Sequence, residues 1–102
     1  MKTTNKITVL VRLNILPGYE KDIREAAEKI WLATRQEKGN ETFVFNTLAD
    51  NDNVLLFFEI FRSQKDFDFH LQASHTLLFL DLLKGKVAGD GPELTFLNQF
   101  ED

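Results

Sequence analysis

Between residues 7 and 16 the apolar side chains fall on alternate positions. Ile7, Val9, Val11, Leu13 and Ile15 lie on one side, and Thr8, Leu10, Arg12, Asn14 and Leu16 on the other. A period of two marks a strand. Pro17-Gly18 stops it, and the period changes. From Tyr19 to about Lys38 the apolar positions are Tyr19, Ile23, Ala26, Ala27, Ile30, Trp31 and Thr34, a helical stripe. Glu20, Asp22 and Glu25 sit early, and Arg35 and Lys38 late, as the helix dipole favours. Gly39-Asn40 supplies a left-handed stop. Two strands follow over 42–49 and 53–61, with Asp50-Asn51-Asp52 as a hairpin connection. Ser63 opens a second helix with Asp66 at the capping-box position, and its inner stripe is Phe67, His70 and Leu71. Ser74 is expected to cap a short third helix reaching about Lys84, with Leu77, Leu80 and Leu83 buried. A glycine-rich loop, 85–92, leads to a last strand over 93–100 that places Leu94, Phe96 and Phe100 on one face.

The order β-α-β-β-α(α)-β predicts an α+β, ferredoxin-like fold with one antiparallel sheet. The third predicted strand carries a further message, because both of its faces are apolar. Val54, Leu56, Phe58 and Ile60 oppose Leu55, Phe57 and Phe61. Helices on one side of an antiparallel sheet should leave the other side polar. The second face therefore needs another sheet, and a single kind of chain supplies one by forming a homodimer. An obligate interface of roughly 2,000 Å² or more is expected.

Length and composition narrow the function. The 102 residues make one domain. There is no cysteine, which excludes disulfides, thiolate metal sites and a cysteine nucleophile. The net charge of −4 leaves no basic footprint for a nucleic acid. The first apolar run is interrupted by Arg12 and Asn14, so it reads as neither a signal peptide nor a membrane span, and a cytoplasmic protein is expected. Residues 85–92 lack the Gly-Lys-Ser/Thr ending of a phosphate loop, and there is no Gly-x-Ser-x-Gly or His-Glu-x-x-His run. Lys38-Gly39 with Phe43-Val44-Phe45 resembles an RNA-recognition motif only faintly, on the wrong strand and with the wrong spacing.

Glu59 is the sharpest anomaly, a carboxylate inside an apolar strand, where burying it unpaired is costly. It reads either as a general base with a raised pKa or as a structural carboxylate paired with Arg12 or Arg62. His70 is an acid–base or orienting group, or else a packed histidine. His70 and His75 lie about 140° apart on a continuous helix, and they share a face only if the helix breaks near Ser74. No metal site is expected from them. Trp31 is either a core aromatic or a stacking wall for a flat ligand. Asn14 shares a strand face with Arg12, where its amide could hold a substrate oxygen.

Several fragments recur together in one family. They are the strand ending in Pro17-Gly18, Thr34-Arg-Gln-Glu-Lys-Gly-Asn40, Thr42-Phe-Val-Phe45, Phe57-Phe-Glu-Ile-Phe61 and His70-x4-His75. Over about residues 6–100 the chain resembles the antibiotic biosynthesis monooxygenase family of dimeric α+β barrels. The resemblance implies a homodimer with a small-molecule cavity between helices and sheet. It also implies cofactor-free oxygenation of a quinol-like, polyphenolic or enolisable molecule. Glu59 and His70 would be catalytic, and Asn14, Trp31, Phe61 and His75 would contact substrate. An isomerase or tautomerase, and a non-catalytic binding domain, are the alternatives. The haem-degrading branch departs from this chain, which has Val11 and Phe61 where that branch carries Asn and a nearby Trp.

Overall fold

The computed structural model spans residues 1–102 and has the order β1 (Lys2–Thr3), β2 (Ile7–Asn14), α1 (Glu20–Thr34), β3 (Asn40–Leu48), β4 (Asn51–Phe61), α2 (Gln64–Gln72), α3 (Ser74–Leu83), β5 (Glu93–Leu97) and β6 (Phe100–Glu101). Strands β3-β4-β2-β5 form an antiparallel sheet in that order, and β1 pairs with β6 in a small second sheet. This is the ferredoxin-like α+β arrangement that the hydrophobic pattern predicts.

The register decides which side chains share a face. Val9 lies opposite Glu59 and Phe96, Val11 opposite Phe57 and Leu94, and Phe43 opposite Glu59. These positions form the inner face, and Val9, Leu13, Leu55, Phe57 and Phe61 are buried beneath the helices with Ile23, Ala27, Ile30, Phe67 and Phe79. Packing of this layer is the main source of stability, at about 25 cal/mol per Å² of apolar surface removed from water. The outer face carries Leu10, Val44, Leu56, Phe58, Ile60 and Leu97. Leu56, Phe58 and Ile60 are only partly covered, and Val44 and Leu97 are exposed.

Several details differ from the sequence reading, each for a local reason. Helix α1 ends at Thr34, not near Lys38, because Gln36 and Glu37 donate to Ala33 and Thr34 in tight i→i+3 turns. Gly39 is not a left-handed stop. It is a glycine because a Cβ there would run into the side chain of Asp66. The hairpin turns at Ala49-Asp50. Ala73, extended at φ −64° and ψ 145°, both ends α2 and precedes α3, so Ser74 is the first helical residue and not the cap. The buried positions of α3 are Thr76, Phe79 and Leu83, whereas Leu77 and Leu80 face outward with Leu71 of α2. The last strand is split: Leu94 and Phe96 belong to β5, and Phe100 belongs to β6 against β1. No helix is long and apolar enough to cross a membrane.

Candidate active site

Glu59 is carried by β4 on the inner face, between Phe57 and Phe61, and is 3% exposed. Neither arginine reaches it as a partner. Arg12 points to the outer face and donates to Asn14, and Arg62 pairs with Asp66 at 3.0 Å. The charged neighbour of Glu59 is another acid, Glu37. Burial first, and then the charge of Glu37, push the Glu59 carboxyl up to about 8.

His70 comes from α2, where its ring lies 4.8 Å from Phe61 and is stacked with Phe67 at 6.3 Å. Its Nε2 is 3.8 Å from Glu59 Oε1, and its Nδ1 is 2.8 Å from Glu37 Oε2. A carboxylate oxygen accepts, so Nδ1–H donates and Nε2 carries the lone pair that faces Glu59. The Thr76 hydroxyl lies 3.4 Å from the same Nδ1. Burial lowers the His70 pKa, against the opposing pull of Glu37, so the ring is neutral at pH 7.

Glu37 is the residue the sequence reading left without a role. Its side chain is 4% exposed, because the tight turns that follow α1 direct it inward. His75 Nε2 lies 2.6 Å from the same Oε2. The break at Ala73 is what rotates His75 to this side of the helical layer. A signal for Glu37 was present in the chain, since it continues the seven-residue spacing of Ile23 and Ile30 along the apolar stripe. Glu37 Oε1 and Glu59 Oε1 are both buried without a hydrogen bond.

Beside Glu59 and His70 is a cavity of about 260 Å³, walled chiefly by Ile30, Phe43, Phe57, Phe67, Phe79 and Leu94. Thr76 is its third polar residue. The other residues named from sequence are placed elsewhere. Asn14 is on the outer face, as strand alternation from Val11 and Leu13 requires. The Trp31 indole donates to the Phe43 carbonyl at 3.0 Å, packs edge-on against Phe45 and lies under the Arg35 guanidinium. Phe61 is fully buried behind His70, and His75 opens onto a separate groove between α1 and α3.

Glu37, His70 and His75 could offer one ligand atom each to a metal ion, all within 4.8 Å. In this geometry both ring nitrogens already donate to one carboxylate oxygen, and an ion would have to displace both hydrogen bonds. The arrangement as it stands is suited to proton transfer. It holds a buried acid, a neutral imidazole with its lone pair toward that acid, and a carboxylate behind the imidazole.

A family model described as antibiotic biosynthesis monooxygenase matches residues 6–81, and the chain belongs to that family. Solved structures agree on the fold. A candidate antibiotic biosynthesis monooxygenase from Nitrosomonas europaea superposes with a TM-score of 0.87 at 18% identity, covering 93% of this chain and 99% of that one. PA3566 from Pseudomonas aeruginosa gives 0.88 at 13% identity, over 99% and 100%. Rv0793 from Mycobacterium tuberculosis gives 0.87 at 22% identity, over 95% and 97%. No curated protein matches the chain.

Proposed function

We propose that this protein is a cofactor-independent monooxygenase acting on a small quinol-like, polyphenolic or enolisable molecule bound in the Phe-lined cavity. The observation that carries the reading is the contact of Glu59 with the bare Nε2 of His70 at one wall of an apolar cavity. With about 260 Å³ available, below the usual range for drug-sized ligands, the substrate class is one or two fused rings. Glu59, as a carboxylate, takes the acidic proton, from the hydroxyl of a quinol or polyphenol or from the α-carbon of an enolisable molecule, and His70 accepts it in turn. The resulting anion is electron-rich enough at carbon to react with oxygen. The peroxide then loses water, so one oxygen atom remains as a carbonyl and the other leaves as water, with the electrons supplied by the oxidised carbon. Apolar walls exclude bulk water from the anion.

The same reading includes a homodimer. The side of β4 formed by Leu56, Phe58 and Ile60, continued by Leu10, Val44 and Leu97, is too apolar to face water over its whole extent. A second copy would cover it sheet to sheet.

Oxygen uptake with a panel of hydroquinones and dihydroxynaphthalenes tests the chemistry. Uptake abolished in Glu59→Gln is expected. Absence of uptake, together with deuterium exchange into a bound ketone, would replace oxygenation by isomerisation on the same base. Absence of both would leave a binding domain.

A further inference from the structure

We propose that Glu37 and His75 are positioning residues that hold His70 in the tautomer able to accept a proton from Glu59. The inference rests on the acid–base reading of the cavity and adds to it residues that never touch the substrate.

The geometry requires an orienting group. His70 lies between two buried carboxylates, Glu59 of β4 and Glu37 of the turn after α1. An imidazole in such a place could put its proton on either nitrogen, and only one choice leaves Nε2 free toward the cavity. The 2.8 Å contact from Nδ1 to Glu37 is a hydrogen bond, whereas the 3.8 Å contact to Glu59 is not. Glu37 therefore fixes the proton on Nδ1, as the buried carboxylate behind a catalytic histidine does in hydrolase triads. When His70 takes up a second proton, the same carboxylate faces the new positive charge.

His75 completes the arrangement. Its 2.6 Å hydrogen bond falls on the same Glu37 oxygen and holds the carboxylate in place. It is also the one member open to solvent, with its side chain 26% exposed. It lines a groove of about 160 Å³ between α1 and α3, together with Lys29, Ala33 and Leu78. The charged and titratable groups around His70 are Glu37, Glu59 and His75, with Asp66 of its own helix occupied by Arg62. Lys29 shares the groove with His75. Solvent therefore reaches the back of the site at His75, on the side away from the cavity.

The test reads ring nitrogens directly by imidazole ¹⁵N NMR and needs no substrate. In the wild type His70 should be neutral at pH 7 with its proton on Nδ1. In Glu37→Gln its midpoint should fall by about one unit or more, because the opposing charge is gone. Glu37→Asp, which keeps the charge, should restore much of that shift. A proton on Nε2 in the wild type, or an unmoved midpoint in Glu37→Gln, would overturn the proposal. His75→Ala should lower the rate of oxygen uptake from 1,4-dihydroxynaphthalene, and added imidazole, which the groove can admit, should restore it. Loss of rate without rescue removes His75 from the role. If the wild type takes up no oxygen, the monooxygenase reading fails while the NMR result still decides the positioning role of Glu37.

Discussion

The two faces of the central sheet depart from ordinary expectation in opposite ways. The inner face is what a helix-covered sheet should be, with Val9, Val11, Leu13, Phe43, Leu55, Phe57 and Phe61 buried, except that Glu59 is set among them. The outer face has no helix over it and should be polar. Thr42, Asn46, Arg12 and Asn14 meet that expectation, but Leu10, Val44, Leu56, Phe58 and Ile60 do not. A lone charge in an apolar layer costs several kcal/mol, and such a cost persists where chemistry uses the group. A run of apolar side chains facing water costs solubility, and it persists where another surface covers it. Residue type alone separates neither case from the core. What separates them is the mismatch between each residue and its own face.

The largest effect should come from the outer face. Phe58→Asp puts a charge at the centre of the uncovered surface, opposite Leu10 and Val44. If that surface is an obligate interface, light scattering should show a stable wild-type dimer at micromolar concentration and little folded variant. A wild type that remains monomeric, with a variant as soluble and stable as its parent, would remove the contrast between the faces. On the inner face, Glu59→Gln keeps the shape and deletes the proton acceptor. Turnover should fall by about 10²–10⁴. The wild-type rate should also climb as pH rises through about 8, where Glu59 becomes a carboxylate, and the variant should lose that limb.

The same substitution has a stability signature of smaller size. Unfolded Glu59 ionises near 4.5, and the folded group ionises near 8. Between those values the folded state binds more protons, so stability falls with rising pH and its full loss is reached above about 8. The loss is of order 5 kcal/mol, from the size of the shift. Glu59→Gln should therefore raise the melting temperature clearly at pH 9 and by little at pH 5. His70 acts in the other direction. Its lowered pKa means that stability is lost as pH falls below about 6.5, the usual histidine value. Thermal melts from pH 4 to 10 should show wild-type stability falling between about 6.5 and 8, where His70 no longer offsets Glu59. In Glu59→Gln the alkaline side should flatten while the acid side remains.

Most of the fold was legible because alternation and helical stripes are short-range signals. Ile7–Ile15, the stripe from Ile23 to Thr34, and the doubly apolar β4 each reveal their element without knowledge of a partner. Glu59 was legible for the same reason, as a charge breaking a local pattern. Glu37 was not, because a glutamate near the end of a helix among Arg35, Gln36 and Lys38 looks like solvent-facing charge. Its burial depends on where α1 stops, and that depends on one tight turn and on the space Gly39 leaves for Asp66. The meeting of His70 and His75 also depended on the helix breaking at Ala73, an alanine with no breaking tendency of its own. Leu77 and Leu80 misled in the opposite sense. Six of the ten residues of α3 are apolar and Leu77-Leu-Phe-Leu80 is an unbroken apolar run, so no polar position there marked the outward side.

Trp31 gives the smallest and most selective comparison, because it belongs to the inner layer without reaching the cavity. Its indole N–H satisfies the Phe43 carbonyl, and its ring sits between Phe45 and the Arg35 guanidinium. Trp31→Phe removes the donor and keeps an aromatic edge against Phe45. The cost should be about 1 kcal/mol, the usual net worth of such a hydrogen bond, with the carbonyl still able to find water at the sheet edge formed by β3. Urea unfolding would read this as a modest fall in midpoint at unchanged slope. Oxygen uptake, if Glu59 and His70 alone meet the substrate at the polar wall, should change by less than about twofold, well below the 1.4 kcal/mol that a tenfold change represents. A large rise in KM with stability unaltered would instead make Trp31 part of the binding surface, and the boundary of the site would have to be moved from Phe43 outward to Phe45.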